Sequence, residues 1–176
     1  MRHQSALPAS KLSVCLLIAA LWSALPLLAF QVDVQRGLAR SELPGGKVEI
    51  DYGRPPHNGR DLLAMMPAGQ VWRMGMNAAT TLQTEVPLQV GDKRLEAGSY
   101  VLTARRADQD SWELQIRDTS NAVLAQAPLN VHRDSEAVDL LTIELDPAKA
   151  DRQPPAITLR VKWGSLRGQS QLTLAP

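Results

Sequence analysis

Alternation of apolar and polar side chains, repeated along most of the chain, is the feature that most limits what this sequence can fold into. Residues 47–52 read KVEIDY, so Val48, Ile50 and Tyr52 share one face of an extended segment and charged residues share the other. A period of two indicates a strand with one buried face. Because similar segments recur with turn residues between them, the sequence predicts an all-β fold, an antiparallel β-sandwich of about nine or ten short strands.

The predicted strands are joined mostly by short polar turns. They lie at residues 47–52, 81–86, 88–95, 99–106, 112–116, 123–125, 129–132, 139–145, 156–163 and 170–174. Gly91 and Asp92 divide one of these segments into a hairpin with a two-residue turn. One long loop, residues 53–70, bears a short helical turn at residues 61–66, and loops of this length in compact domains are usually functional. The residues expected to be buried together are Val48, Ile50, Leu102, Trp112, Leu114, Ile143, Leu159, Val161 and Trp163.

The N-terminal segment has a different pattern. Arg2 and Lys11 precede an uncharged apolar run at residues 12–30. A positive region followed by such a run is typical of a secretory signal, and its length also suits a single membrane span. We interpret residues 1–29 as a signal peptide cleaved after Ala29, or else as a retained N-terminal anchor.

Residues 30–176 then form a single β-sandwich domain that is exported to the periplasm or the extracellular space. Contact with a membrane is expected only through residues 12–30, if the segment is not cleaved. Cys15, the one cysteine, lies within that run, so the predicted domain has no disulfide and no thiolate nucleophile. The net charge of +1 gives no electrostatic reason to expect a nucleic-acid partner.

Three arginines, Arg54, Arg60 and Arg73, lie close together in the sequence around the long loop. The planar guanidinium group suits bidentate binding of a carboxylate or phosphate, which favours a pocket for a small anionic ligand. The arginines could equally pair with Asp51 and Asp61 and fasten the loop to the domain, since buried charges are usually paired within a protein. The sequence leaves both interpretations open.

Catalytic and metal signatures are weak. His57 and His132 stand alone, without a Gly-x-Ser-x-Gly elbow or an HxH or HExxH spacing. We therefore assign no catalytic residue, no metal and no cofactor, and we expect His132 to face solvent on a strand. Trp112 and Trp163 belong to apolar strand faces, which leaves Trp72 as the candidate aromatic platform for a ligand.

The segment from 52 to 80 carries a specific pattern: a tyrosine-x-arginine-proline element, a glycine-arginine pair, a turn proline and a tryptophan-arginine-x-glycine-x-asparagine element followed by a threonine. The matching residues are Tyr52, Arg54, Pro55, Gly59, Arg60, Pro67, Trp72, Arg73, Gly75, Asn77 and Thr80. In this pattern, in Ala97-Gly98-Ser99-Tyr100 and in Trp163, the chain resembles the bacterial domain of unknown function 2911 family. It departs from the family at Ala78, where an acidic residue is common, and at Gly53, where a serine is common. The resemblance implies an exported, mostly β domain without an established activity.

We expect an envelope-associated binding module that acts through the face formed by residues 53–81. Its ligand-binding residues are expected to be Arg54, His57, Arg60, Trp72, Arg73 and Asn77. The partner is expected to be a small anionic ligand or another envelope protein. A hydrolase-like enzyme that uses His57 with arginine stabilisers is an alternative, as is a structural protein that docks a partner. The absence of a nucleophile and base at a recognisable spacing favours the non-enzymatic interpretations.

Overall fold

The computed structural model describes residues 35–149 and 151–176, and the predicted signal segment, residues 1–29, lies outside the described residues. The described residues form ten β-strands and one four-residue helix. The elements are β1 (Arg36–Leu43), β2 (Gly46–Gly53), α1 (Leu62–Met65), β3 (Val71–Trp72), β4 (Thr81–Thr84), β5 (Leu88–Val90), β6 (Lys93–Leu95), β7 (Gly98–Arg106), β8 (Trp112–Arg117), β9 (Val123–Pro147) and β10 (Ala156–Leu174). Every pairing between these strands is antiparallel. The predicted all-β class, the strand number and the loop with a helical turn are confirmed.

The strands form one open sheet in the order β1-β2-β4-β7-β8-β9-β10-β5-β6, and β3 pairs with β7. β9 joins the two halves of this sheet, because its first residues pair with β8 and the rest pair with β10. β2 lies in one half, yet the Tyr52 hydroxyl bonds to the backbone of Ile143 in the other half. The two halves therefore face each other and enclose a common core.

All nine residues that the sequence places in the core are buried in one hydrophobic cluster. The predicted hairpin is also confirmed, since Val90 of β5 pairs with Lys93 of β6 across a two-residue turn. Gly91 in this turn has a φ of 59°, a left-handed conformation that glycine adopts without steric cost. In the part of the chain that the structure describes, no helix is long and apolar enough to cross a membrane.

The strands at the C-terminal end are longer than the sequence predicts. β9 has 25 residues and β10 has 19, whereas the alternation predicts three short strands in the first region and two in the second. Residues 132–137 of β9 are exposed on both faces. A segment without a buried face needs no apolar side chains, so the alternation disappears there. The pairing with β10 is interrupted in the same place, because Arg133 and Val138 have register partners on β10 and residues 134–137 have none.

β1 is a strand that the sequence analysis missed. Its inward face carries Ala39, Ser41 and Leu43, while Leu38 on the outward face is 59% exposed. A small polar residue on the buried face and a leucine on the exposed face remove the alternation that identifies a strand. β1 is held instead by pairing with β2 along its whole length.

The bond between the two halves of the sheet gives a first test. The Tyr52 hydroxyl accepts a hydrogen bond from the Ile143 N–H at 2.9 Å and donates to the Ile143 carbonyl at 3.2 Å. Tyr52→Phe leaves both buried groups without this partner, so the free energy of unfolding should fall by about 1–3 kcal/mol in urea denaturation.

Tyr100→Phe is the matched control, because the Tyr100 hydroxyl donates at 2.8 Å to the carbonyl of Glu96 at an exposed position. It should change the free energy of unfolding by less than about 0.5 kcal/mol. Equal losses in the two variants would contradict the assignment of Tyr52 as a link between the halves.

Candidate functional site

The long loop after β2 begins as an extended segment that runs beside β9. Pro56 forms an isolated antiparallel bridge with Leu140, and the Leu141 N–H donates to the Pro55 carbonyl at 3.1 Å. The two prolines favour this local conformation, since each fixes its own φ and restricts the residue before it to extended geometry. The loop is therefore attached to the sheet from its first residues.

The indole of Trp163 on β10 lies at the centre of the loop's contacts with the sheet. Its Nε1 donates to the Pro55 carbonyl at 3.0 Å. The His57 ring meets it edge-on, with centroids 5.7 Å apart, and the Trp72 ring stacks on it at 6.2 Å. The guanidinium carbon of Arg60 lies 5.1 Å from the centroid of the same ring. We call His57, Arg60, Trp72 and Trp163 the Trp163 cluster.

Arg54 and Arg60 are both bound to neutral acceptors of the protein. The Nε of Arg54 donates to the Leu141 carbonyl at 3.1 Å, and its Nη2 donates to the Thr142 hydroxyl at 3.4 Å. The Nε of Arg60 donates to the His57 carbonyl at 3.2 Å. These bonds fasten the loop, but a carbonyl or a hydroxyl does not neutralise the positive charge of a guanidinium group.

The carboxylates near the arginine block have partners elsewhere in the chain. Asp51 pairs with Arg36 on β1, and Asp61 pairs with Arg133 on β9, each at 2.8 Å. The hydrogen bond from Arg133 lowers the pKa of Asp61 below its ordinary value, and the Leu63 N–H contributes in the same direction. That N–H bond, 3.0 Å long, also caps the N-terminus of α1.

Arg73 and Asn77 lie together at the surface in the segment between β3 and β4. The Nη2 of Arg73 donates to the Asn77 carbonyl at 2.5 Å, and both residues are exposed. Asn77 has a φ of 64°, which asparagine tolerates better than most residues. Nearby, the buried Thr80 hydroxyl donates to the Met74 carbonyl at 2.9 Å. The segment between β3 and β4 is thus fastened through its own backbone.

A cavity of about 200 Å³ opens beside the Trp163 cluster. Its polar and aromatic walls are His57, Arg60, Asp61, Arg133, Trp163 and Ser165. Nη1 of Arg133 donates to the Ser165 hydroxyl at 3.3 Å, which connects the two strands that form one wall. The guanidinium groups of Arg60 and Arg133 face the one carboxylate of Asp61 here, so these three groups carry a net positive charge.

The structure thus brings two of the predicted site residues, His57 and Arg60, to one cavity, with Trp72 stacked against the central indole. Arg54 is bound to β9, and the Arg73–Asn77 pair does not line this cavity. Their proposed roles in binding stay predictions.

Two cavity residues, Arg133 and Ser165, were missed by the sequence analysis. They come from β9 and β10, where the polar sequence carries no motif. Among residues 35–149 and 151–176, no group of three or more His, Cys, Asp or Glu side chains is placed to hold a metal ion.

Gly164 on β10 packs against the His57 ring, so a substitution at Gly164 tests the packing of the Trp163 cluster. Gly164 has a φ of 55°, and a β-carbon on it would lie 2.3 Å from Nε2 of His57. Gly164→Ala should lower the free energy of unfolding by about 1–2 kcal/mol for the backbone conformation and by about another 1–3 kcal/mol for the overlap with the ring.

Gly59→Ala is the control in thermal or urea denaturation, because Gly59 also has a positive φ, 70°, but a β-carbon there would meet no atom within 4 Å. It should show the backbone cost alone. Adding His57→Ala to Gly164→Ala should recover part of the loss. If it recovers none, the contact between the two residues does not limit stability.

Comparison with known proteins places the chain in a family. A family model described as "Protein of unknown function (DUF2911)" matches residues 35–172. No curated protein and no solved structure matches the chain. The matched range contains both the long loop and Trp163, the residues on which the sequence resemblance rests. The chain therefore belongs to the DUF2911 family of proteins of unknown function.

Proposed function

We propose that the protein is an exported, envelope-associated binding module whose site is the cavity beside Trp163 and whose ligand is a small carboxylate or phosphate. The observation that carries the proposal is the charge of that cavity. Arg60 and Arg133 line it, while Asp61 is the single carboxylate in the same lining. Guanidinium groups keep their charge at every physiological pH and match the geometry of carboxylate and phosphate oxygens.

The side chain of Arg60 is held in one position by contacts with the loop backbone and with Trp163. Its Nε and Nη2 donate to the carbonyls of His57 and Pro56, and the Trp163 ring lies against the guanidinium group. Within the described residues Nη1 makes no hydrogen bond, which leaves donors free for a ligand. Because the group is already fixed, binding costs little further side-chain entropy.

Export is proposed from the sequence of residues 1–29. N-terminal sequencing of the protein from an envelope fraction should begin near Phe30, because the uncharged run ends there. A full-length chain in the cytoplasmic fraction would contradict export.

The hydrolase alternative has less support from the geometry. Catalysis by His57 as a base needs an orienting acid and a nucleophile within hydrogen-bond reach. Within the described residues the His57 side chain makes no hydrogen bond, and the Ser165 hydroxyl that shares its cavity accepts one from Arg133. No specific contact favours this alternative over binding.

The binding proposal is tested by calorimetry and thermal shift with citrate, inorganic phosphate and glucuronate. At least one of these anions should raise the Tm of the wild type. Arg133→Gln removes one cavity cation and should weaken that anion's affinity about tenfold or more. Arg73→Gln removes an exposed arginine outside the cavity and should leave the affinity unchanged.

Asp61→Asn should have the opposite effect on anion affinity. It removes the negative charge that faces Arg133 but keeps a side chain that can cap α1. Anion affinity should therefore rise, by about fivefold for a charge removed at close range. Loss of binding in Arg73→Gln with no effect of Arg133→Gln would place the site at the exposed segment between β3 and β4. No stabilisation by any anion would reject the proposal.

A further inference from the structure

A second cavity, of about 420 Å³, lies where β10 curves back on itself. The N–H of Leu174, the last residue of β10, donates at 2.8 Å to the carbonyl of Pro155, which precedes its first residue. The two ends of one strand are therefore neighbours. Thr158 near the start of β10 and Gln171 near its end both line the cavity between them, which we call the β10 cleft.

The walls of the β10 cleft carry neutral side chains that both donate and accept hydrogen bonds. The amide and hydroxyl side chains on its surface are Gln89, Asn130, Thr158, Gln169, Gln171 and Thr173. Strand register arranges them in facing pairs, because Gln169 lies opposite Asn130 and Thr173 lies opposite Gln89. Polar groups from β5, β9 and β10 thus converge on one volume.

The β10 cleft differs in charge from the cavity beside Trp163. Its one ionised lining residue, Arg160, forms a salt bridge with Asp146. The residues that line the cleft, all within the described part of the chain, include no carboxylate and no aromatic side chain. An anionic ligand would meet an arginine that is already paired with Asp146, and an apolar ligand would make few apolar contacts. The hydroxyl groups of a neutral ligand can both donate and accept hydrogen bonds, and so can the amide and hydroxyl side chains of the cleft.

Ser170 does not belong to this set of polar groups. It lies between the exposed Gln169 and Gln171 and is itself 3% exposed. Because successive side chains of a strand point to opposite faces, the Ser170 hydroxyl faces the interior of the domain, and the polar surface of the β10 cleft comes from the side chains on the outer face.

We propose that the β10 cleft binds a neutral saccharide. Its volume lies within the range of small-ligand sites. Arg160 and Gln169 also line an adjoining cavity of about 400 Å³, so the cleft continues beyond its polar centre. This continuity suits a chain of two or more sugar units better than a single one. The β10 cleft shares no lining residue with the cavity beside Trp163, so the saccharide site is independent of the anion site.

The test uses saturation-transfer NMR and calorimetry with cellobiose, maltose and N,N′-diacetylchitobiose. At least one disaccharide should bind the wild type. Gln169→Ala and Thr158→Ala should each weaken its affinity about tenfold, because each removes hydrogen-bonding groups from the cleft wall. Gln83→Ala is the matched control, since Gln83 is an exposed glutamine on β4 that does not line the cleft, and it should not change affinity. An unchanged Tm in each variant verifies folding.

Three results would overturn the proposal. The first is no binding of any of the disaccharides. The second is an equal loss in Gln83→Ala and Gln169→Ala. The third is binding of an octapeptide of alternating Thr and Val without binding of a disaccharide, which would indicate strand addition along β10 instead. Arg133→Gln should leave saccharide binding intact, so failure of the anion proposal is distinguishable from failure of this one.

Discussion

The antiparallel pairing of β9 with β10 is the interaction on which the rest of the structure depends. β9 is the strand through which the two halves of the sheet are hydrogen-bonded into one, because β8 pairs with its first part and β10 with its remainder. The Tyr52 hydroxyl and the Arg54 side chain both bond to the backbone of β9. The sheet, the closure of the core and the attachment of the long loop therefore use the same pair of strands.

The three arginines between β2 and β4 serve structure without losing their charge. An arginine that pairs with a carboxylate fastens a loop and becomes electrically neutral as a pair, whereas one that donates to carbonyls keeps its full positive field. Arg54, Arg60 and Arg73 all donate to backbone carbonyls. The two interpretations that the sequence leaves open are thus not exclusive, because the same side chain can hold the loop in place and attract an anion.

Much of the fold was predictable because burial on one face of a strand leaves a period of two in the sequence. That rule located most of the strands and all nine predicted core residues, and it failed where burial was different. β1 has a serine on its inner face, and residues 132–137 of β9 have no buried face at all. Alternation carries no information about a strand in either circumstance.

The candidate sites were less predictable, for a different physical reason. The sequence of the long loop pointed to His57 and Arg60 as candidate site residues, and the two lie close together in the chain. Arg133 and Ser165 reach the same cavity from distant strands, and their position depends on the register between β9 and β10. Register across a long, exposed pair of strands is not encoded in a local pattern, so these residues carried no signal.

One irregularity in β10 connects the two candidate sites. Buried residues fall at odd positions from 157 to 163 and at even positions from 166 to 172. The pairing with β9 shifts on both sides of Gly164, where residues 162–166 of β10 lie opposite the longer segment 133–142 of β9. A bulge of this kind changes the direction of the side chains that follow it. Without the shift, Gln169 and Gln171 would point into the core and Ser170 would point out.

The same bulge brings the Gly164 backbone against His57, where a glycine is needed because a β-carbon would overlap the ring. A single local change in strand geometry therefore accommodates the loop on one side and turns neutral polar side chains towards the β10 cleft further along. The two cavities share no lining residue, yet both depend on the conformation of β10 at this glycine. A substitution at Gly164 thus perturbs both sites through the backbone, whereas substitutions at lining residues such as Arg133 or Gln169 act on one site alone.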